Sequence, residues 1–295
     1  MQKTLDLSIK LHETGTLDGG YAIADWVSYP AYMKNDEWSD FYETMKEKYP
    51  IAFAEYGEGS GGELLPKNKY PPKMASYGSS SRMIFNLLKE NSDFHFEYKL
   101  PTKVGGIANL DGFIETTDTN IYVEAKCREP YGKKTHLIDK CYKDLYEHIA
   151  SDNSCNISIE ATETDKKINV HFFVDEREIT VFDIKQMICH LLGIGVKLLT
   201  ESKHKKNKFL YLCYNPKLID IIDERKKKQI FDTYDKMCDE CQAIDFGALF
   251  ASIIRYLRDV LHVGQPIEIE TIKNFDFILC NQNDYLKYIS TEEQT

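Results

Sequence analysis

The stretch Asn109 to Cys127, NLDGFIETTDTNIYVEAKC, constrains this chain more than any other. Two runs of β-type residues, 110–115 and 121–127, flank a polar turn around Thr117-Asp118-Thr119-Asn120. That pattern is the signature of an antiparallel hairpin. Side chains alternate faces along a strand. Ile121, Val123, Ala125 and Cys127 therefore share one face, and Tyr122, Glu124 and Lys126 the other. On the first strand Asp111, Phe113 and Glu115 lie together. A two-residue turn at Thr117-Asp118 sets Asp111 opposite Glu124, and a turn at Asp118-Thr119 sets it opposite Lys126. Either register leaves the three side chains as neighbours, with directly opposed residues about 5 Å apart. Such a group can be a solvated salt-bridge patch, but the apolar flanks point to a buried sheet.

An Asp ending one strand segment followed by Glu-x-Lys on the next resembles the active site of the PD-(D/E)xK nuclease superfamily. Asn109-Leu110-Asp111 stands where the superfamily has Pro-Asp, and Glu124-Ala125-Lys126 is the E-x-K element. The departure from Pro-Asp spares the carboxylate, which is what a metal needs. The neighbouring FEYKLPT and CREPY narrow the resemblance to a restriction-endonuclease-like family over residues 79–216, leaving both ends uncovered.

The resemblance implies a mixed α/β fold, with an αβββαβ core and helical and β elaborations at both ends. It implies hydrolysis of DNA phosphodiester bonds with Mg²⁺, or Mn²⁺ as a substitute. The ligands would be Asp111, Glu124 and the backbone carbonyl of Ala125, with Lys126 acting on the attacking water or the developing charge. The chemistry asks for these residue types. Mg²⁺ neutralises phosphorane charge and acidifies a bound water, takes only one or two carboxylates from a protein, and leaves room for a cation such as Lys to stabilise the transition state.

The chain has 295 residues and 42% apolar content, enough for a sizeable core. No run approaches the roughly 20 apolar residues of a transmembrane helix, and MQKTLDLSIK lacks the apolar core of a signal peptide. A cytoplasmic protein without membrane contact is expected, its eight scattered cysteines reduced. Cys238 and Cys241 form a lone CxxC inside a helical pattern, without a second pair at zinc-site spacing. The net charge of −10 sits awkwardly with nucleic-acid binding. Local basic runs offset it: Lys203 to Lys208, Arg225 to Lys228, and a thinner set at Lys67, Lys69 and Lys73. Lys205, Lys206 and Lys208 are candidate phosphate contacts, though such runs also make ordinary solvated loops.

The chain divides into an N-terminal elaboration (1–75), a nuclease-like core (76–216) and an extension of the same domain (217–295). Helices are expected over 38–48, from a Ser79–Ser81 cap to 91, over 136–149, 181–199, 217–242 and 246–262, and strands over 94–100, 167–175, 209–214 and within 267–279. The helix at 136–149 and the strand at 167–175 are expected to complete the αβββαβ order, with 181–199 and 209–214 as a further helix and strand. Alternation over 94–100 puts Phe94, Phe96, Tyr98 and Leu100 on one face and His95, Glu97 and Lys99 on the other, making Glu97 a candidate extra carboxylate. Arg82, Asn86 and Glu90 form a polar helical stripe, from which Asn86 or Glu90 could add a group near the metal. Gln186 and His190 fall on the apolar helix 181–199, where a lone His reads as packed core.

The leading functional expectation is a type II restriction endonuclease reading a short double-stranded DNA site. The resemblance adds a possible homodimer and a cognate methyltransferase. One alternative is a repair or phage-defence nuclease acting on structured or single-stranded nucleic acid. Another is a non-catalytic DNA-binding subunit, against which the intact Asp111, Glu124 and Lys126 argue.

Overall fold

The computed structural model describes residues 33, 35–59, 62–66, 71–76, 78–127, 130, 137–201, 205–218, 224–263 and 275–289. Three helices come first: α1 (Asn35–Lys48), α2 (Pro50–Gly57) and α3 (Ser80–Leu88). Strands β1 (Phe94–Pro101), β2 (Ile107–Glu115) and β3 (Thr119–Lys126) follow. Next come β4 (Leu137–Asp139), α4 (Lys143–Ser151), β5 (Ile157–Glu163), β6 (Lys167–Val174) and β7 (Arg177–Glu178). The chain then forms α5 (Ile184–Thr200), β8 (Lys206–Cys213), α6 (Glu224–Ala243), α7 (Phe246–Arg255) and β9 (Phe275–Asn281).

The fold is mixed α/β around a five-stranded sheet in the order β1-β2-β3-β8-β9. The first three strands are antiparallel, while β8 runs parallel to β3 and β9 parallel to β8. The central hairpin takes the Thr117-Asp118 turn, with Gly112 paired to Val123 and Phe113 to Tyr122. Thr116 closes it, its N–H donating to Thr119 O and its Oγ1 accepting from Thr119 N. One step further, this register brings Asp111 opposite Glu124.

A hydrophobic core covers each face of the sheet. Ile121, Val123, Ala125 and Cys127 pack with Phe94, Phe96 and the buried residues of α1–α3. Phe113, Tyr122, Leu100 and Leu110 pack with α5, α7 and the inner face of a second sheet. That second sheet has the order β4-β6-β5, with β7 also paired to β6. Ile168, Val170, Phe172 and Val174 point inward from β6 at the strand period of two.

Several expectations change. The even-numbered residues of β1 do not share a face: Phe94 and Phe96 enter the core under α1–α3, and Leu100 enters the core under α5. The switch falls at Glu97, whose φ of 51° is left-handed and turns the strand over where extended backbone would alternate. The ladder skips this rung, pairing Phe96 with Gly112 and then Tyr98 with Leu110.

The expected helix 136–149 begins as strand β4, because Ile138 pairs with Ile168, and only Lys143–Ser151 is α-helical. The segment from β4 to β7 therefore forms its own sheet. The helix and strand that return to the main sheet are α5 and β8, which completes the order helix, three strands, helix, strand around a large insertion. Helix α3 starts on the expected cap, Ser79 accepting from Arg82 N, but stops at Leu88. Glu90 lies beyond it, exposed, and accepts from Tyr49 Oη at 2.7 Å.

Candidate functional site

The site is built where β2, β3 and α5 meet. On β3, Glu124 and Lys126 face α5, and burial leaves them only 2% and 6% exposed. Charges so enclosed need partners. Lys126 Nζ lies 2.5 Å from Glu124 Oε1. Asp183 caps α5, its carboxylate accepting from Gln186 N at 3.1 Å, which fixes Gln186 in the first turn. Gln186 Nε2 donates to Glu124 Oε1 at 2.8 Å, and its Oε1 accepts from Lys126 Nζ at 2.7 Å. One turn later His190 Nε2 stands 3.0 Å from Glu124 Oε2. Neither ring nitrogen of His190 makes a well-directed hydrogen bond among the described residues.

Helix α5 is held at its entry by α6. The buried Glu240 accepts from the backbone N–H groups of Thr180, Val181 and Phe182 at 3.0, 2.7 and 2.7 Å. The Thr180 hydroxyl adds a bond to the same carboxylate at 3.2 Å.

Asp111 sits at the skipped rung of β2. Its Oδ2 accepts from Ala125 N at 2.7 Å, and the Ala125 carbonyl leaves the same edge of β3 as that N–H. Burial, and then the neighbouring Glu124, push the Asp111 carboxyl well above its usual range, although Lys126 and the Ala125 N–H pull the other way. Burial works against charge on Glu124 too, but Lys126 and then His190 outweigh it and hold Glu124 down at about 2. Glu97 stands near enough that its charge adds to the upward push on Asp111. Tyr56, whose hydroxyl donates to Ser81 O at 2.9 Å, is raised by burial and by both Glu97 and Asp111.

The arrangement thus brings together Asp111, Glu124, Ala125, Lys126 and Glu97. Asp111 and Glu124 offer hard oxygens a strand apart, and a divalent cation would relieve the repulsion that favours a proton on Asp111. Two carboxylates and a carbonyl match what Mg²⁺ takes from a protein. Among the described residues, no three His, Cys, Asp or Glu side chains gather as a metal-holding group.

Lys205, Lys206 and Lys208 are not brought to this place. Lys205 and Lys206 lie at the opposite end of the strands, since Lys206 pairs with Thr119 and Tyr211 with Glu124, a separation of roughly 17 Å at 3.3 Å per residue, and Lys208, opposite Ile121, is still roughly 10 Å away along the strand. Lys205 Nζ is 2.7 Å from Glu115 Oε1, and Lys206 Nζ is 3.0 Å from Asp276 Oδ2. All eight cysteines are free thiols.

Gln186 and His190, on a helix whose apolar pattern points only to packed core, contact the site residues Glu124 and Lys126. Their i, i+4 spacing, two polar side chains on one face of an apolar helix, is the signal that could have found them. Compared with known proteins, the chain matches no family model, no curated protein and no solved structure. No helix among the described residues is long and apolar enough to cross a membrane.

Proposed function

We propose that this protein is a metal-dependent endonuclease that hydrolyses DNA phosphodiester bonds, a restriction-type enzyme built on a restriction-endonuclease-like core. The observation that carries the reading is a pair of carboxylates on neighbouring strands, the half-buried Asp111 and the buried Glu124, with Lys126 two residues along from the second. The order helix, three strands, helix, strand, with the last strand parallel to the third, adds support.

Mg²⁺, or Mn²⁺ in its place, held by Asp111, Glu124 and the Ala125 carbonyl, would neutralise phosphate charge and acidify a water. Asp111 is fixed for this task by the Ala125 N–H, and Glu124 by Gln186 and His190. Lys126, two residues along β3 from Glu124, can donate to a water or to a non-bridging phosphate oxygen as charge grows there. Burial strengthens each of these contacts, because water screens them less.

The test is incubation with plasmid DNA and Mg²⁺. Discrete bands are expected, and Asp111→Asn, Glu124→Gln and Lys126→Met should each lower cleavage at least about a hundredfold. EDTA should abolish cleavage and added Mn²⁺ restore it. A smear would favour a repair or defence nuclease, and no cleavage a DNA-binding subunit. Wild-type rates in two of the three variants would remove the site assignment. A homodimer and a cognate methyltransferase belong to the same proposal.

A further inference from the structure

Glu124 uses its two oxygens differently. Oε1 accepts from Lys126 Nζ at 2.5 Å and from Gln186 Nε2 at 2.8 Å. Oε2 faces His190 Nε2 at 3.0 Å. That separation would suit a hydrogen bond, yet Nε2 makes no well-directed one, and both ring nitrogens are buried without such a partner among the described residues. The in-plane direction of Nε2 therefore passes to one side of Oε2. A lone pair on that nitrogen aims at the space beside the carboxylate.

A shared cation accounts for both the separation and the misdirection. Two ligands at right angles on an octahedral ion, each bonded at about 2.1 Å, stand about 3.0 Å apart. The bond from each then leans about 45° away from the line joining the pair. The imidazole is also held in place before any ion arrives. His190 lies in the middle of α5, is 2% exposed and has its ring tilted only 29° from the plane of Phe209. A ligand fixed in advance loses little freedom on binding.

We infer that His190 Nε2 and Glu124 Oε2 bind the divalent cation together, which makes His190 a nitrogen ligand of the site. This inference rests on the metal-dependent reading of the site. The imidazole ligates through its lone pair, in the neutral form. The other positions of the shell fall to oxygen. Imidazole nitrogen suits later first-row ions such as Ni²⁺, whereas Mg²⁺ is best served by carboxylate, carbonyl and water. His190 therefore strengthens the hold on Ni²⁺ far more than the hold on Mg²⁺.

The test starts with Mn²⁺, whose unpaired electrons report a directly bound nitrogen in electron spin-echo spectra. Wild type with bound Mn²⁺ should show the ¹⁴N modulation of one imidazole, and His190→Leu should show none. Calorimetry should find Ni²⁺ bound at least about tenfold more weakly by His190→Leu, with Mg²⁺ affinity changed less than about threefold. Bound Mn²⁺ without nitrogen modulation in wild type, or with the modulation kept in His190→Leu, would overturn the inference and leave the metal reading standing. So would an equal loss of Ni²⁺ and Mg²⁺ affinity, because a merely structural role for His190 weakens every ion alike. Failure of wild type to bind Mn²⁺, Ni²⁺ and Mg²⁺ would overturn both. Should His190→Leu not fold, wild type labelled with [¹⁵N]histidine replaces it. The ¹⁴N modulation should then give way to ¹⁵N, and an unchanged spectrum would remove the histidine ligand.

Discussion

Asp111 and Glu124 are acids on adjoining strands, and their surroundings drive them in opposite directions. Glu124, held at about 2 against an ordinary 4.5, contributes stability that is fully present above 4.5 and lost as pH falls toward 2. Asp111 behaves in reverse. Its folded-state value is raised, so above 3.8 the folded chain keeps a proton that the unfolded chain has released, and metal-free stability falls as pH rises through that window. A cation at Asp111 must displace the proton. Mn²⁺ affinity is therefore expected to rise with pH from the acid side toward neutrality, with proton uptake by the buffer visible in calorimetry across buffers of different ionisation enthalpy. Asp111→Asn should abolish that proton release, and an unchanged release in the variant would place the proton elsewhere. The pairing of Asp111 with Glu124 was legible in the sequence, because a strand period of two and a short turn leave few registers. Gln186 and His190 were not, because their meaning depends on where α5 docks, and docking is a long-range event that local pattern does not encode.

The turnover of β1 at Glu97 shows how one backbone conformation redirects an element. Alternation assigned Phe94 and Leu100 to one face, and the left-handed Glu97 sends them to opposite cores. Gly112 makes room for this on the neighbouring strand. A Cβ added there would stand 1.8 Å from Phe94 Cζ, and a packed ring has little freedom to yield. Gly112→Ala is expected to destabilise the protein by about 2 kcal/mol, read as a lower urea midpoint at unchanged slope. A midpoint equal to wild type would mean that Phe94 moves freely. The helices α1, α5 and α7 were readable from apolar spacing and caps. Strand β4 was not, since its three residues are too few to show a period and owe their conformation to pairing with β6. The same shortage hid the second sheet: five of the seven β5 residues are exposed, so it carries little apolar pattern.

Charge and topology act over longer distances. The net charge of −10 does not leave the lysine runs unmatched: Lys205 meets Glu115, Lys206 meets Asp276 and Lys228 meets Asp232. A lysine already compensated releases few counterions on meeting phosphate. In an Asp111→Ala background, Lys205→Gln with Lys206→Gln is expected to leave the salt dependence of duplex DNA binding unchanged. A flattened slope, measured by anisotropy across salt concentrations, would show that these pairs open onto DNA. The union of β3 with β8 spans the whole inserted sheet, for Asn120 bonds to Asn207 across 87 positions. Closing so long a loop costs entropy before any contact rewards it, whereas the β1-β2-β3 meander and the β5-β6 hairpin need only short closures. Refolding should therefore form the β1-β2-β3 meander and the β5-β6 hairpin first and add β8 to β3 late. During that interval Asp111, Glu124 and Lys126 are already side by side on their hairpin, while Gln186 and His190 have yet to arrive. Until β8 joins β3, the two acids and the lysine stand open to water, and their enclosure comes only with that final parallel pairing.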